Sequence, residues 1–201
     1  MEQHENQIIL RGDLLDLPEF SHENHGRRFC RFFLEVPRLS GAVDTLPVVA
    51  RQELLDQFSL CPGMRITVQG QIRSHNHTDE AGRHLMIFVF ACSLCPEDGE
   101  PLNDAHVTGI LCREPTFRRT PLGREICDAM LAVPRAFRRA DYLPCILWGR
   151  TAQEISRCQT RDRITIHGRL QSRIYTKYLD TCPVERTAYE LSALTAEALT
   201  E

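Results

Sequence analysis

The chain contains an internal repeat: when the sequence is shifted by 97 residues, much of its second half aligns with its first half. The matching blocks share glycines, prolines and apolar residues, and each pairs at this offset without a gap. They are Gly12-x-Leu14-x-x-x-Pro18-x-Phe20 with Gly109-x-Leu111-x-x-x-Pro115-x-Phe117, Gly26-Arg27-x-x-Cys30 with Gly123-Arg124-x-x-Cys127, and Leu34-x-Val36-Pro37-Arg38 with Leu131-x-Val133-Pro134-Arg135. One offset kept over several blocks indicates a tandem duplication.

The duplication predicts two small domains of similar size. A segment rich in proline, glycine and acidic residues, 96–103, has the composition of a linker. We therefore expect an N-terminal domain over 1–95 and a C-terminal domain over 104–201. Each is close to the length of about 100 residues that is common for a small domain.

The second copy has the strand order of a small barrel. Apolar runs bounded by turn residues predict strands over 106–112, 126–133, 143–148 and 188–194, with a turn over 120–123. A short helix is expected over 151–158, with Thr151 as its N-cap and Glu154 completing a capping box. Together with a long strand over 163–175, this order predicts an all-β chain. We expect two tandem OB-fold five-stranded barrels, each with a short helix between strands 3 and 4.

The long strand over 163–175 alternates between apolar and polar residues, which is the pattern of a half-buried strand. We expect its apolar residues to face the core: Ile164, Ile166, Leu170 and Ile174. The opposite side is cationic and ends in an aromatic residue. That side consists of Arg163, Thr165, His167, Arg169, Gln171, Arg173 and Tyr175.

Charge is divided unevenly between the two copies. Residues 1–102 carry 9 Lys+Arg against 15 Asp+Glu, a net charge of −6, whereas residues 103–201 carry 15 against 12, a net charge of +3. Single-stranded nucleic acids bind cationic grooves in which exposed aromatic rings stack on the bases. The second copy interleaves arginine with aromatic residues in this way. Its candidate nucleic-acid-binding residues are Phe137, Tyr142, Trp148, Tyr175, Arg135, Arg138, Arg139, Arg150, Arg169, Arg173 and Lys177. For Trp148 the alternative is a core position.

Residues 109–175 also share motifs with a known family, in the family's order and spacing. The motifs are Gly109-x-Leu111-x-x-x-Pro115, Thr120-Pro121-x-Gly123, Leu131-Ala132-Val133, Ile146-Leu147-Trp148-Gly149-Arg150-x-Ala152-x-Glu154 and Ile166-x-Gly168-Arg169-Leu170-Gln171-Ser172-Arg173-x-Tyr175. In these motifs the second copy resembles the bacterial single-stranded DNA-binding protein (SSB) family. The resemblance implies binding of single-stranded DNA without strong sequence preference, in DNA replication, recombination or repair. It also implies a base-stacking platform of Phe137, Tyr142, Trp148 and Tyr175.

The resemblance bears on assembly and partners as well. Family members usually combine four OB folds, so two per chain imply a homodimer. Single-stranded DNA is the implied ligand, with the preference for DNA over RNA resting on the resemblance, and replication or repair proteins are the implied protein partners. The alternative is a primosomal replication protein of the OB type that acts mainly through protein contacts. A structural protein that has lost nucleic-acid binding is a further alternative.

The first copy departs from the family's pattern at the platform. Its residues at the four platform positions are Ser40, Thr45, either Arg51 or Ala50, and His77. Its phenylalanines lie in strand-like runs and are expected to be mostly core: Phe29, Phe32, Phe33, Phe88 and Phe90. We therefore expect the second barrel to do most of the binding. The first barrel would serve in assembly or bind another partner.

The cysteines offer a weaker signal. There are nine, an odd number with irregular spacing, which predicts reduced and mostly buried thiols. Cys30 and Cys127 occupy the same position in the two copies, which suggests core packing. Cys92 and Cys95 have CxxC spacing, and zinc bound together with His75 and His77 or Cys61 is the alternative to structural thiols. We expect no metal.

Other function classes lack support in the sequence. No catalytic motif is present, so we expect neither an enzyme nor a cofactor. No apolar run approaches the roughly 18 residues of a membrane span, so no membrane association is expected. The N-terminus is polar and acidic and lacks a signal-peptide pattern, so we expect a cytoplasmic protein.

Overall fold

The computed structural model describes residues 6–79, 82–179 and 182–199. These residues form strands, two short helices and one short 3-10 turn. They divide into two compact units. The first unit contains Gln7–Arg73 and Phe88–Asp104, and the second contains Ser74–Ile87 and the chain from residue 105 onward. In the described ranges, no helix has the length and apolar character needed to cross a bilayer.

The strands of the first copy close into a barrel. Its elements are β1 (Asn6–Leu14), β2 (Glu19–Asn24), β3 (Arg27–Pro37), β4 (Val43–Arg51), α1 (Gln52–Leu55), β5 (Arg65–Asp79) and β6 (Gly82–Pro96). Five strands follow the order β1-β3-β4-β6-β5 and then return to β1, with β4 and β6 parallel. The short strand β2 pairs with β3 and with no other strand in the described ranges.

The second copy repeats this topology element by element. Its elements are β7 (Leu102–Leu111), β8 (Thr116–Arg119), β9 (Glu125–Arg135), a 3-10 turn (Ala136–Arg138), β10 (Arg139–Trp148), α2 (Gly149–Ile155), β11 (Arg163–Leu179) and β12 (Cys182–Leu199). The barrel order is β7-β9-β10-β12-β11, returning to β7. A helix lies between the third and fourth barrel strands of each copy. The prediction of two tandem OB-fold barrels with this helix is therefore confirmed.

The two barrels share their register as well as their strand order. Phe29 pairs with Arg51 across β3 and β4, and Ile126 pairs with Trp148 across β9 and β10, so both pairs obey the offset of 97 residues. This pairing resolves the ambiguity between the two candidates for the first copy's counterpart of Trp148, because Arg51 occupies that place.

One glycine in each barrel is required by a close approach of two strands. A Cβ atom added at Gly70 would lie 2.2 Å from the carbonyl oxygen of Phe90, and one added at Gly168 would lie 2.2 Å from that of Ser192. No side chain fits at such a distance, so glycine at both positions allows β5 to pack on β6 and β11 on β12. In the second barrel the approach coincides with a bulge between His167 and Gly168.

Several element boundaries differ from the sequence-based expectations. The strands of the second copy are longer than predicted, and the helix begins at Gly149 with Trp148 as its N-cap. The prediction that Thr151 caps this helix is wrong, because Thr151 lies inside the helix and no side chain caps its N-terminus. The chain turns into the helix at Gly149, whose φ of +55° favours glycine.

The alternation along β11 is confirmed for three of its four predicted core residues. Ile164, Ile166 and Leu170 are buried, but Ile174 is 68% exposed. The reason is that β7 pairs with β11 only as far as Gly168, so Ile174 lies on the part of β11 that pairs with β12 alone. Gln171 was expected to be exposed but is buried. Its buried amide is satisfied by a 2.7 Å hydrogen bond that it donates to Glu190.

The prediction of mostly buried thiols is only partly right. Cys30, Cys127 and Cys145 are buried, and the first two fill the same core position in the two barrels. Burial raises the pKa of the Cys127 thiol to about 11, so this cysteine is a packing residue. Four other described cysteines are exposed, since they lie in loops or on the solvent side of strand ends: Cys61, Cys92, Cys95 and Cys112.

Candidate nucleic-acid interface

The outward side of the second barrel carries the predicted aromatic residues. Along β10, Leu143, Cys145 and Leu147 point into the core, so Tyr142 and Trp148 point outward. Their side chains are 45% and 37% exposed. We call the outward-pointing residues of β9, β10, β11 and β12, together with the β9–β10 turn, the platform face.

Trp148 lies on the platform face with a fixed ring orientation. Its indole Nε1 donates a 3.2 Å hydrogen bond to the Ser192 hydroxyl, and Ser192 is in register with Arg169 across β11 and β12. Ile126, its partner in register on β9, is 2% exposed, while more than a third of the Trp148 side chain stays in solvent. The alternative of a core tryptophan is therefore wrong.

Phe137 is the most exposed of the four aromatic residues, with 94% of its surface in solvent. It lies in the 3-10 turn between β9 and β10 with a φ of +61°, and Arg138 follows with a φ of +55°. Left-handed backbone at a residue with a Cβ atom costs about 1–2 kcal/mol. Strain of this kind is concentrated at functional sites, where it presents a side chain that packing alone would not expose.

Tyr175 lies near the end of β11 and is 37% exposed. The guanidinium of Arg173 is 5.7 Å from the centre of its ring, within the range of a cation–π contact. Phe137, Tyr142, Trp148 and Tyr175 are thus all exposed, as the resemblance implies for a stacking platform.

The predicted arginines do not form a uniform cationic groove, because acidic residues accompany several of them. Arg173 is 4.0 Å from Glu190, and Arg150 is 2.7 Å from Glu154. The hydrogen bond to Glu154 raises the pKa of the Arg150 guanidinium above its ordinary value. Arg118 was missed in the sequence, and it pairs with Asp128 at 2.5 Å. A phosphate that binds these arginines must compete with a carboxylate.

Arg135 has a different environment from the other predicted arginines. It is 3.3 Å from Asp141, whose side chain is fully buried. The first copy contains the same pair, since Arg38 donates a 2.7 Å hydrogen bond from Nε to the buried Asp44. A pair that both copies share, with and without the aromatic platform, is explained best by its role in holding the β9–β10 turn.

Three arginines of the platform face are available for an anion. Arg138 and Arg139 are exposed and form no ion pair with any other described residue. Arg169 is half-buried, and its Nε has no hydrogen-bond partner among the described residues. A buried donor without a partner is rare in folded proteins, so this Nε is suited to a ligand oxygen. The side chain of Lys177 lies outside the described residues.

The second unit also contains part of the first copy, which the sequence did not predict. The Ser74 hydroxyl accepts a 2.7 Å hydrogen bond from the backbone N–H of Tyr142. The backbone N–H of Ser74 in turn donates a 2.7 Å hydrogen bond to Asp141. These bonds hold the start of β10 and so position Tyr142 on the platform face.

The proposed zinc ligands do not come together. Cys92 and Cys95 are exposed, and His75, His77 and His84 form a row with ring centres 6.2 Å and 6.0 Å apart. Across the described ranges, no three His, Cys, Asp or Glu side chains lie close enough to hold a metal ion.

Comparisons with known proteins agree with the fold. The sequence model of the single-strand binding protein family matches residues 102–199. Single-stranded DNA-binding protein A of Bacillus subtilis (strain 168) is 33% identical over 81 residues, which cover 37% of this chain and 47% of that protein. Single-stranded DNA-binding protein 1 of Staphylococcus aureus (strain COL) is also 33% identical over 81 residues, with 37% and 48% covered. The chain thus matches about half the length of these relatives.

A solved structure resembles the whole chain. The wild-type single-stranded DNA binding protein from Thermus aquaticus superposes with a TM-score of 0.80 and 23% sequence identity, covering 98% of this chain and 93% of that chain. The similarity therefore includes the first barrel, which the family model does not match. At this level of identity the likeness concerns the fold, and it supports two tandem barrels.

Proposed function

Because the chain belongs to the single-strand binding protein family through residues 102–199, we propose that it binds single-stranded DNA mainly through the platform face of the second barrel. One observation carries the proposal. Four aromatic side chains, Phe137, Tyr142, Trp148 and Tyr175, are exposed on one side of one barrel among arginines. Proteins of this family bind DNA and are not enzymes.

The platform face explains how bases and phosphates would be held. Each base stacks on an aromatic ring, which contributes about 1–3 kcal/mol per base, and every base has a π face. Binding therefore has little sequence preference. Phosphates bind first to the unpaired Arg138 and Arg139 and to the Nε of Arg169, and Arg173 exchanges Glu190 for a phosphate.

The test uses the single tryptophan as its reporter. An oligo-dT strand is titrated into the full chain at two salt concentrations while Trp148 emission is followed. Stacking should quench the emission, and the affinity should fall as salt rises because bound cations are released from the DNA. Unquenched emission together with no binding by fluorescence anisotropy would refute the proposal.

Assembly and cellular context belong to the same proposal. A homodimer would combine four barrels, two of them with the platform face. We place the protein in the cytoplasm, in DNA replication, recombination or repair, with replication or repair proteins as partners. Sedimentation velocity tests the assembly, since a single species with the mass of one chain, 23.0 kDa, at all concentrations would contradict the homodimer.

A further inference from the structure

We propose that the first barrel also binds single-stranded DNA, through an aromatic surface at positions different from those of the platform face. This goes beyond the proposed function, which assigns binding mainly to the second barrel. The surface lies on the outward side of β3 and β6 and on the neighbouring arginines. We call it the phenylalanine face, and it consists of Phe33, Phe88, Phe90, Arg31, Arg51 and Arg73.

The phenylalanine face lies on the same side of its barrel as the platform face does. Val49 pairs with Phe90 across the parallel strands β4 and β6, just as Ile146 pairs with Ser192. Phe90 therefore occupies the place of Ser192, against which Trp148 rests in the second barrel. Two residues earlier on the same strand, Phe88 occupies the place of Glu190.

The strand β3 contributes in the same way. Phe33 pairs with Pro47 as Met130 pairs with Pro144, so an aromatic ring in the first barrel replaces a methionine in the second. Phe33, Phe88 and Phe90 are half-buried and point away from the core. The expectation that these three phenylalanines are core residues is wrong. It holds for Phe32, which is 2% exposed, and for Phe29, which is 9% exposed.

Cations accompany these rings as they do on the platform face. The guanidinium of Arg73 is 5.8 Å from the centre of the Phe90 ring, and that of Arg31 is 5.7 Å from the Phe33 ring. Both distances match the 5.7 Å between Arg173 and Tyr175 in the second barrel. Such a pair offers a nucleotide a surface for its base and a charge for its phosphate.

A cleft opens beside Phe90. It has a volume of about 580 Å³, and Arg27, Arg51, Glu53 and Phe90 are among the residues that line it. This volume falls within the range of about 300–1,000 Å³ that is typical of small-molecule sites, so a nucleotide base fits. Arg51 stands here in the place of Trp148.

The electrostatics favour a polyanion over a neutral partner. Arg27, Arg31 and Arg51 are exposed, and none of them forms an ion pair with another described residue. The first copy is acidic overall, but several of its carboxylates are occupied elsewhere. Asp13 binds Arg65, and Glu97 binds Arg11. The hydrogen bond from Arg65 lowers the pKa of the Asp13 carboxyl group. The hydrogen bond from the Thr67 hydroxyl, and after it the one from Arg11, lowers the pKa of Glu97, so both groups stay ionised beside their own partners.

The decisive experiment moves the reporter from one barrel to the other. The full chain carrying Trp148→Phe and Phe90→Trp has its only indole on the phenylalanine face. Oligo-dT should quench this indole, and the titration should saturate at the strand concentration found by anisotropy of a labelled oligonucleotide. Binding seen by anisotropy with unchanged indole emission would overturn the inference and leave the proposed function standing. Absence of binding in both measurements would overturn both.

A second variant keeps the test independent of the introduced indole. Arg31→Glu with Arg51→Glu alters two exposed residues, so the fold is retained. With long oligo-dT, the slope of log affinity against log salt should become shallower by about 1.4, since each lost phosphate contact accounts for about 0.7 of the slope. The number of nucleotides occluded per chain should fall. Quenching of Trp148 by a short oligonucleotide should stay as in the wild type.

The matched control reverses two exposed charges in loops, Arg113→Glu with Arg157→Glu, and thus makes the same change in net charge. If the control lowers the salt slope and the site size as much as Arg31→Glu with Arg51→Glu does, the effect is one of net charge and the inference is wrong. If neither variant changes the site size, the phenylalanine face serves a protein partner instead.

Discussion

The two barrels share an interior and differ in their exteriors. Leu34 and Leu131 are fully buried at equivalent positions, and so are Ile66 and Ile164. On the outward side, the second barrel has its aromatic residues on β10, β11 and the β9–β10 turn, whereas the first has them on β3 and β6. Because side chains alternate between the two sides of a strand, the outward positions can change without disturbing the core. A duplicated barrel can therefore acquire a second surface at little cost in stability.

The largest effect expected from this comparison concerns DNA affinity. Trp148→Ala combined with Tyr175→Ala removes two stacking rings, at about 1–3 kcal/mol each, and should weaken oligo-dT binding by roughly 30-fold or more. Anisotropy of a labelled oligonucleotide measures the loss without needing the tryptophan. His77→Ala, at the first copy's counterpart of Tyr175, should change the affinity far less. Equal effects of the two changes would remove the distinction between the copies.

The next effect concerns stability and should be alike in the two barrels. Asp44 and Asp141 are buried carboxylates that bind Arg38 and Arg135. Replacing either with alanine leaves a guanidinium without its partner and should cost about 2–4 kcal/mol of unfolding free energy.

Urea unfolding followed by circular dichroism measures both changes. Asp98→Ala serves as the control, since Asp98 is exposed and its removal should alter the midpoint little. If only Asp141→Ala were destabilising, the arginine–aspartate pair would not be a structural feature that both barrels share. Arg135 would then again be a candidate DNA contact.

The scaffold was predictable from the sequence because its rules are local. The glycines and the alternation along β11 indicated the barrel. The four aromatic residues were predictable because they stand at family positions, and all four are exposed. Several partners of the arginines were not predictable from the sequence, because they come from cross-strand neighbours. Glu190, for example, lies opposite Gln171 only after β11 and β12 have paired.

The phenylalanine face was misjudged for a related reason. In the run Arg31-Phe32-Phe33-Leu34, apolar residues occupy both sides of the strand, so alternation does not tell which ring faces the core. Pairing with β4 resolves the question, because Phe32 then lies inside the barrel and Phe33 outside. From the sequence of one strand alone, an aromatic residue that faces the core cannot be distinguished from one that faces solvent.

A smaller effect is expected from the turn after β9, whose backbone residues differ from those of the turn after β3. The first copy has Gly41 at a φ of +83°, and the second copy has Arg138 at the equivalent position with a φ of +55°. Arg138→Gly should relieve strain of about 1–2 kcal/mol, partly offset by about 0.4–1 kcal/mol of added freedom in the unfolded chain. The variant should therefore be more stable by up to about 1 kcal/mol, while its oligo-dT affinity falls a few-fold. A thermal melt that shows no stabilisation would contradict the strain.

The smallest effect is expected at Arg150, a predicted DNA contact whose counterpart in the first copy is Glu53. Its guanidinium is 89% exposed and binds Glu154 one helical turn away, and exposed pairs of this kind contribute only about 0.3–0.5 kcal/mol. A phosphate must displace Glu154 to reach it. Arg150→Gln should therefore change oligo-dT affinity less than Arg138→Gln does, since Arg138 forms no ion pair with any other described residue. Salt titrations of the two variants decide the matter. A full loss of about 0.7 in slope for Arg150→Gln would mean that the strand passes over α2.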